Sequence, residues 1–546
     1  MTASATGNSP QLIVRGHNAQ RWQAPRSAQP LFDTAATRAI EQAAQAALAP
    51  HTLMQRAGLS SAKLAMALAP HADTFWIACG PGNNGGDGLE AAVHLKQWGK
   101  SPVVTWLGAP GKAPADAAAS RQRALEAGVT FVETPPAKFD FCIDALLGIG
   151  ASHGATNPVP GRSIDGRMAA WIALINASPA PVLAVDLPTG LNADTGDASA
   201  LCVRATATLS LLTLKPGLFT AQGRDASGDI WFDALEGSQV PHAQYVQHVQ
   251  SKREPSAWLA GAPIAKTRDH ASHKGSFGDV LVIGGAAGMT GAALLAATAA
   301  LHSGAGRVFV MLLDGGSMAV DSQHPELMFR PFDDHHFEDQ FNTDFSRMTV
   351  VCGCGGGAVV QAPLATILAS NANAVFDADA LNAIAADKAL SALLCTRAGR
   401  GLQTVLTPHP LEAARLLGTT ALQVQQNRLA AATALARQFN CTVVHKGSGT
   451  VIATPGQTPV INPTGNALLA TAGTGDVLAG MVGARLASLA GLERTLIAMK
   501  ATNSAAFQAA CEAVYWHGEA ADRWPAHRAL TASRLARALS PAAGCI

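Results

Sequence analysis

A chain of 546 residues is too long for a single hydrophobic core, and its length predicts two to four domains. Hydrophobic residues make up 48% of it and charged residues only 14%, a composition typical of an α/β protein with many packed helices. The formal net charge of +1 excludes a strongly basic face for nucleic acid or a polybasic membrane signal. Nine cysteines without a repeated spacing indicate buried thiols in a reducing compartment rather than a disulfide framework.

The N-terminal residues 1–30 carry no apolar core of a signal peptide, and no apolar stretch of the chain reaches membrane-spanning length. We expect these residues to be an extension that is disordered or loosely packed. Arg15, Arg21 and Arg26 precede the first acidic residue, Asp33, which weakly resembles a mitochondrial transit segment. A bacterial cytoplasmic protein is the simpler interpretation.

Helices and strands alternate in the first half of the chain. Helices are predicted at residues 31–49, from residue 53 onward, and at 89–95, 113–127 and 166–177. Strands are predicted at residues 75–79, 102–107, 129–132, 139–144, 182–186 and 207–212. This alternation indicates a mostly parallel sheet that is covered on both faces. Ligands of such sheets collect at the carboxyl ends of the strands.

Residues 80–88 contain five glycines together with Asn83, Asn84 and Asp87. So many glycines predict a loop rather than the interior of a helix or strand. The loop follows a predicted strand and precedes a predicted helix, an arrangement that presents backbone N–H groups to an anion. A tight connection without a ligand is the alternative for a single Gly-x-Gly, but nine unusual residues in succession favour a site.

Two further predicted strands end in polar loops, one at Asp144 and the other at Asp186 and Thr189. Because parallel strands end at one edge, we expect Asn84, Asp144 and Thr189 to share a crevice. Amide, carboxylate and hydroxyl oxygens are hard ligands, which suit an alkali or alkaline-earth cation better than zinc. Each aspartate considered alone is as readily a helix cap or a loop hydrogen bonder.

The loops at residues 80–88, 144–150 and 185–190 resemble the signature loops of the NAD(P)H-hydrate epimerase domain, the YjeF N-terminal family. The resemblance covers residues 31–233 and implies a Rossmann-like three-layer sandwich that interconverts the R and S forms of hydrated nicotinamide cofactors. It implies a potassium ion on Asn84, Asp144 and Thr189. The residues that it implies for the substrate are Asn83, Asn84, Gly85, Gly86, Asp87, Gly148, Ile149, Gly150, Ala151, Ser152, His153, Gly154 and Asp186.

Asp144 is the candidate for proton transfer at the carbon that bears the hydroxyl, although ligation of a cation competes for the same oxygens. Two residues depart from the family pattern. Ile149 stands where threonine is usual, and Thr189 stands where serine is common. The second change keeps the hydroxyl, and we expect the first to cost little.

A polar segment with several prolines, residues 237–264, is the best domain boundary. The second half is again predicted to be α/β. Its predicted strands are residues 280–283, 308–312, 349–352, 374–377, 404–406 and 441–445. Small-residue or apolar spacing predicts helices at residues 292–301 and 477–487.

Two late motifs indicate phosphoryl chemistry. Gly473 and Gly475 precede Asp476 at the start of a predicted helix, where glycine N–H groups form an anion pocket and an aspartate accepts a proton from an attacking hydroxyl. Lys446 is followed by glycines and hydroxyls in residues 447–450, which suits a nucleotide phosphate. An ordinary capped helix start and a surface lysine are the alternatives for each motif alone.

These loops resemble the ribokinase-like fold, specifically the ADP/ATP-dependent NAD(P)H-hydrate dehydratases. The match spans residues 273–539 and includes residues 273–275, 377–381, 407–412 and 473–476. It implies contacts with the hydrated cofactor from Ala292, Gly355, Gly357, His409 and Asp476. It implies a nucleotide site at Lys446, Gly447, Ser448, Gly449, Thr450 and Gly475. ADP in preference to ATP, Mg²⁺ and a homo-oligomer are also implied.

His409 considered alone is a turn residue between two prolines. Cys354 replaces the proline of the family's Gly-Pro-Gly-Leu-Gly, from which we expect a looser loop.

The combined hypothesis is a bifunctional repair enzyme that acts on NADHX and NADPHX, the hydrated forms of NADH and NADPH. An epimerase domain (residues 31–236) precedes the linker and a dehydratase domain (residues 265–546). The dehydratase consumes ADP and releases AMP and phosphate. The alternative is a ribokinase-like small-molecule kinase with a non-catalytic N-terminal binding domain.

Overall fold

A computed structural model of the protein describes residues 10–14, 27–149, 164, 166–235, 253–264, 268–316, 318–495 and 504–540. The chain divides into two compact units, Met1–Leu259 and Ala260–Ile546. Their boundary falls within the segment that the sequence predicts as a linker. None of the helices in the described ranges combines the length and hydrophobicity needed to cross a membrane. The eight cysteines in these ranges are free thiols.

The strands of the first unit are β1 (Gln11–Val14), β2 (Gln29–Leu31), β3 (Thr74–Cys79), β4 (Ser101–Trp106), β5 (Thr130–Val132), β6 (Phe141–Ala145), β7 (Val182–Val185), β8 (Ala207–Leu211), β9 (Asp229–Asp233) and β10 (Ala257–Leu259). Eight of them form a sheet in the order β1-β9-β8-β7-β6-β3-β4-β5, which is parallel except for β1 against β9. The six predicted strands are confirmed to within two residues at each end.

The N-terminal extension differs from its prediction in two short segments. Strand β1 pairs with β9 through Leu12 and Trp231. Strand β2 pairs antiparallel with β10. Both are short pairings with a sequence-distant partner, so the local composition gives no signal for them.

The helices of the first unit are α1 (Thr34–Ala46), α2 (Thr52–Leu68), α3 (Asn83–Gln97), α4 (Ala115–Glu126), α5 (Gly166–Ala177) and α6 (Gly223–Ala226). Successive side chains of a strand point to opposite faces of the sheet. Phe75 and Ile77 of β3 accordingly join the core cluster that α2 and α3 cover, whereas Trp76 joins the cluster that Trp171 of α5 covers. The predicted three-layer arrangement is confirmed.

The strands of the second unit are β11 (Asp279–Gly284), β12 (Arg307–Leu312), β13 (Met328–Phe329), β14 (Thr349–Cys352), β15 (Asn373–Phe376), β16 (Thr404–Leu406), β17 (Thr442–His445), β18 (Val451–Ala453) and β19 (Val460–Ile461). Their order is β13-β12-β11-β14-β15-β16-β17-β18-β19. Strands β11 to β17 run parallel, and β18 and β19 follow β17 as antiparallel strands.

The helices of the second unit are α7 (Thr290–His302), α8 (Phe337–Gln340), α9 (Gln361–Ala369), α10 (Ala378–Ala386), α11 (Lys388–Thr396), α12 (Pro410–Leu417), α13 (Ala421–Gln426), α14 (Arg428–Phe439), α15 (Thr474–Thr495), α16 (Ala505–Asp522) and α17 (Ala532–Ala538). Helix α15 packs between α7 and α16 and also contacts β14. The predicted α/β fold class with two domains is therefore confirmed.

Candidate active sites

The glycine segment after β3 is mostly helical, which corrects the prediction of a nine-residue loop. Helix α3 begins at Asn83, so Gly85, Gly86 and Gly88 lie inside it and only residues 80–82 remain a loop. Helix propensity alone disfavours this start by about 1 kcal/mol per glycine relative to alanine. Tertiary packing outweighs that preference.

The close approach of α3 to its neighbours is what requires glycine. A Cβ atom on Gly85 would lie 2.1 Å from the carbonyl oxygen of Gly80, and one on Gly88 would lie 2.6 Å from the Ala145 side chain at the end of β6. One on Gly86 would lie 2.5 Å from the sulfur of Met54. The glycines thus bring the first turn of α3, with Asn84, against the carboxyl end of the sheet.

Asp144 and Thr189 meet at that edge, as the sequence predicts. Thr189 donates from its hydroxyl to Asp144 Oδ1 at 2.7 Å and from its backbone N–H to Oδ2 at 2.9 Å. The N–H of Leu146 donates to Oδ1 at 3.2 Å. Asp144 is completely buried, and burial raises its pKa to about 6 although these hydrogen bonds oppose the shift.

Asn84 lies against Gly148, on which a Cβ atom would be 3.4 Å from the Asn84 amide. The Asn84 side-chain nitrogen is buried without a hydrogen-bond partner among the described residues. The oxygen and nitrogen ends of an amide have nearly the same shape, so the Asn84 oxygen can occupy this position instead. A carboxylate that is buried among hydroxyl and amide groups fits a monovalent cation, which would supply the missing charge.

Asp186 follows β7 in a strained backbone conformation. Its φ is +66°, and the N–H of Leu187 donates to the carbonyl of Val185 at 2.8 Å, which closes a γ-turn around Asp186. Such a turn costs on the order of 1–3 kcal/mol for a residue other than glycine. The side chain forms an ion pair with Lys215, which lies beyond the neighbouring strand β8 and is completely buried.

The charge of Asp186 also acts on two further carboxyl groups, those of Asp87 and Glu41. Burial, and next the negative charge of Asp186, raise the pKa of Asp87 well above its usual range. Burial, and next Asp186, also raise the pKa of Glu41 on α1, while Lys215 opposes the shift. Glu41 and Asp87 are thus the two carboxyl groups whose protonation is most directly coupled to the ion pair of Asp186 and Lys215 among the described residues.

The second site lies at the carboxyl ends of four adjacent parallel strands, β14 to β17. They are followed by Cys354, Asp377, Thr407 and Lys446 respectively. Lys446 donates to Asp377 Oδ1 at 2.6 Å, and the Thr407 hydroxyl donates to the same oxygen at 2.7 Å. Burial lowers the pKa of Lys446, but the negative charges of Asp377 and next of Glu412 outweigh burial and hold this pKa above its usual value. The lysine is therefore a fixed cation.

The loop after Lys446 rests on Arg428, a buried residue of α14. Its Nη2 donates to the carbonyls of His445 at 3.2 Å and Lys446 at 3.1 Å. Gly447 has a φ of +142°, and a Cβ atom there would lie 2.7 Å from Arg428 Nη2. A Cβ atom on Gly475 would lie 3.4 Å from Lys446 Nζ, so the two predicted nucleotide loops meet.

Asp476 occupies the first turn of α15, beside Cys354 and Asp377. The Cys354 sulfur and one oxygen of each aspartate all lie within 4.8 Å of one another. Burial, and next the charge of Asp377, raise the pKa of Asp476 to about 6. At neutral pH it is a carboxylate that can accept a proton at a helix N-terminus.

Residues predicted to contact the hydrated cofactor lie close by. A Cβ atom on Gly355 (φ +60°) would be 2.8 Å from the Ala292 side chain, and the N–H of Gly357 donates to Asp379 Oδ2 at 2.8 Å. The Cys354 thiol, which stands in place of the proline, is buried. Three glycines of this loop, Gly353, Gly355 and Gly357, have positive φ.

Two family models match the chain, one in each unit. Residues 50–217 match the model described as YjeF-related protein N-terminus, and residues 280–541 match the model described as NAD(P)H-hydrate dehydratase. The bifunctional NAD(P)H-hydrate repair enzyme of Coxiella burnetii is 32% identical over 501 residues, which cover 90% of this chain and 94% of that protein. The chain belongs to the family of bifunctional NAD(P)H-hydrate repair enzymes.

Two further relatives match the second unit of this repair-enzyme chain. The ADP-dependent (S)-NAD(P)H-hydrate dehydratase of Neisseria meningitidis is 40% identical over 284 residues, 51% of this chain and 88% of that protein. The crystal structure of the ADP/ATP-dependent NAD(P)H-hydrate dehydratase of Bacillus subtilis, co-crystallised with ATP and Mg²⁺, is 28% identical. The structural match covers 50% of the present chain and 91% of the Bacillus subtilis chain, with a TM-score of 0.39.

His409 is a helix cap in this member of the repair-enzyme family. Its Nδ1 accepts from the N–H of Leu411 at 3.1 Å, and its own N–H donates to Glu412 Oε2 at 2.8 Å, which forms a capping box at α12. Its Nε2 lies 3.2 Å from Glu412 Oε1. Burial raises the pKa of Glu412 to about 7. The imidazole is thus half-exposed and held in one orientation, which suits a residue that contacts the substrate.

Three residues of these sites were not identified from the sequence: Glu41, Lys215 and Arg428. Lys215 lies within residues 211–219, all of which are buried, among mostly apolar neighbours. A lysine in a largely apolar segment indicates an internal ion pair, because lysine is almost never fully buried unless it is paired. Glu41 and Arg428 lie in helices with ordinary surface spacing and give no such signal. The predicted substrate residues Gly150, Ala151, Ser152, His153 and Gly154 lie outside the described residues.

Proposed function

We propose that the first unit interconverts the R and S forms of NADHX and NADPHX, and that the second unit dehydrates the S form to NADH or NADPH. ADP is the proposed co-substrate, with release of AMP and phosphate. The observation that carries the proposal is the convergence of Lys446, Asp377 and Asp476 at the carboxyl ends of the strands. The chain that contains them aligns with 94% of the length of a bifunctional relative. ADP is favoured over ATP because the Neisseria relative is named ADP-dependent.

In the proposed dehydration, the Asp476 carboxylate accepts the proton of the ring hydroxyl. The hydroxyl oxygen then attacks the terminal phosphorus of ADP, and the bond between that phosphorus and AMP breaks. Phosphate subsequently leaves with the electrons of the C–O bond, and loss of a proton restores the dihydronicotinamide. Lys446 and the loop of residues 447–450 are proposed to hold the phosphates. Arg428 stabilises the start of this loop by donating hydrogen bonds to the carbonyls of His445 and Lys446.

Potassium is the cation that we propose for Asn84, Asp144 and Thr189, where it would neutralise the buried carboxylate and help to hold the substrate. Mg²⁺ is proposed to accompany the nucleotide. It prefers six oxygen ligands, whereas Cys354 offers sulfur and Asp377 already accepts a hydrogen bond from Lys446. These residues do not fit a magnesium cage, so the nucleotide phosphates would be its principal ligands.

The cellular setting is part of the proposal. We propose a cytoplasmic homo-oligomer, since free thiols suit a reducing compartment and the family resemblance implies assembly. Light scattering of the purified protein measures the assembly, and a monomeric mass at micromolar concentration would contradict it.

The decisive experiment supplies a mixture of both hydrate epimers with ADP, with ATP or with neither, and follows the absorbance of the reduced cofactor. Recovery of the whole mixture with one nucleotide is expected, at a rate above spontaneous epimerisation. No recovery with either nucleotide would refute the dehydratase assignment. Recovery that stops at the S fraction would refute the epimerase assignment. A stable phosphorylated product would favour the small-molecule kinase.

A further inference from the structure

The buried ion pair of the first unit leaves one carboxylate oxygen available. Asp186 Oδ1 accepts from Lys215 Nζ and from the N–H of Leu211 at 3.1 Å. In the part of the chain that the structure describes, Asp186 Oδ2 receives no hydrogen bond, and the side chain is 14% exposed. The γ-turn fixes the backbone that carries this side chain. The carboxylate is thus held at one oxygen and open at the other.

Lys215 cannot itself reach a substrate. The residue is completely buried, and its three N–H groups are directed to Asp186, to the carbonyl of Leu211 at 2.9 Å and to the hydroxyl of Ser210 at 3.3 Å. A second γ-turn lies at Leu212, where φ is +61° and the N–H of Thr213 donates to Leu211 at 2.7 Å. The surrounding structure thus maintains two strained turns, one at Asp186 and one three residues before Lys215.

Asp144 differs from Asp186 in this respect. Both oxygens of Asp144 accept hydrogen bonds from Thr189, and the residue is completely buried. A carboxylate so enclosed is suited to a bound cation, whereas a transferable proton needs an oxygen that reaches the substrate.

We propose that Asp186 is the base of the epimerase and that Lys215 is its positioning residue, with Asp87 as the acid. This rests on the proposed epimerase function and replaces Asp144 in the proton transfer, leaving Asp144 to the cation. Asp87 lies near the start of α3, which packs against the carboxyl end of the sheet, and Asp186 follows β7 at the same end. Burial, and next the charge of Asp186, raise the pKa of Asp87, so that its carboxyl group can carry the proton.

The proposed inversion balances without any further reactant. The Asp87 carboxyl gives its proton to the hydroxyl of the substrate, the C–O bond breaks with its electron pair, and water leaves a cationic ring. Water then adds to the opposite face as Asp186 Oδ2 accepts one of its protons. Transfer of that proton from Asp186 to Asp87 restores the starting state.

The test uses the full-length chain without nucleotide, so that only epimerisation proceeds, and separates the R and S forms by chromatography. Asp186→Asn is expected to lower the epimerisation rate by about 10²-fold or more. Lys215→Met is expected to lower kcat by about tenfold or more with KM changed by less than about twofold, because Lys215 orients and charge-pairs the base but does not touch the substrate. Lys112→Met, at an exposed lysine of the same unit, is the matched control and should behave as wild type.

A double mutant distinguishes positioning from a general loss of structure. If Lys215 acts only through Asp186, then Lys215→Met has no further effect on Asp186→Asn, whereas independent effects multiply. Dehydration of the S form with ADP, measured on the same chains, should remain at the wild-type rate. A multiplicative double mutant, or Asp186→Asn within about threefold of wild type, would overturn the proposal.

Asp144→Asn separates the two carboxylates. Its epimerisation should be restored by a higher K⁺ concentration, because asparagine still offers an oxygen to the cation, whereas Asp186→Asn should not respond. Restoration of Asp186→Asn by K⁺ would contradict the assignment. Failure of the wild-type chain to epimerise would instead refute the proposed function itself.

Discussion

Replacement of Asp476 by asparagine should abolish dehydration and leave epimerisation unchanged. Asparagine has nearly the same shape, so the packing beside Cys354 and Asp377 is retained, but its amide cannot accept the proton of the ring hydroxyl. General bases contribute about 10²- to 10⁴-fold to a rate. The expected loss therefore corresponds to about 3–5 kcal/mol of transition-state stabilisation.

The pH dependence gives an independent measure of the same residue. Burial raises the pKa of Asp476 to about 6. Its ionised form is the active one, so the dehydration rate should be nearly constant above pH 7 and should fall as the pH decreases through about 6. Below that value the carboxyl is protonated, and the rate should drop about tenfold for each pH unit.

The assay follows the recovery of reduced-cofactor absorbance from the S epimer with saturating ADP between pH 5 and 8. Asp334→Asn, at an exposed aspartate of the same unit, serves as the matched control. Epimerisation without nucleotide reports whether the remainder of the chain is intact. The assignment would be refuted if Asp476→Asn dehydrated within about threefold of wild type, or if both activities fell equally in a folded protein.

Three further predictions test other contacts. Arg428→Met removes two hydrogen bonds to the loop that contains Gly447, and the KM for ADP should rise by about tenfold with little change in epimerisation. Gly85→Ala places a methyl group against the carbonyl of Gly80, so the first unit should lose about 1–3 kcal/mol of stability in thermal unfolding and most of its epimerase activity. Exchange of K⁺ for tetramethylammonium should slow epimerisation, and the stimulation by K⁺ should weaken below about pH 6 because Asp144 becomes protonated. An unchanged KM, a wild-type Gly85→Ala variant or indifference to K⁺ would each contradict the corresponding contact.

The buried strands were predictable because they are continuous apolar runs, as in the segment that ends at Cys79. The short strands β18 and β19 were not predicted, since segments of three and two residues carry no periodicity of their own. Helix α3 was assigned a late start because glycine disfavours helices, and only the contact between Gly85 and Gly80 reveals why the helix starts early. Local sequence reports propensity, whereas this start depends on packing between elements.

Some site residues were also predictable from local sequence, whereas others depend on contacts between distant segments. The motifs drew attention to Asp144 and Asp476 because each stands where a strand or helix meets a polar loop. The strand order then brings each of them to the carboxyl edge of the sheet in its own unit. Lys215 was not predictable as the partner of Asp186, because the two are 29 positions apart and meet only through adjacent strands. The motifs located the crevices, but the ion pairs inside them depend on the three-dimensional arrangement.

The glycine-rich start of α3 also bears on the order of folding. Gly85, Gly86 and Gly88 together cost about 3 kcal/mol of helix propensity relative to alanine, so this turn is unstable until β6 and α2 are in place against it. We expect side chains here to show kinetic φ-values near zero, while those in the middle of the sheet show higher values. The position of Asn84 would then be established only in the last stage of folding, after the hydrophobic layers have formed.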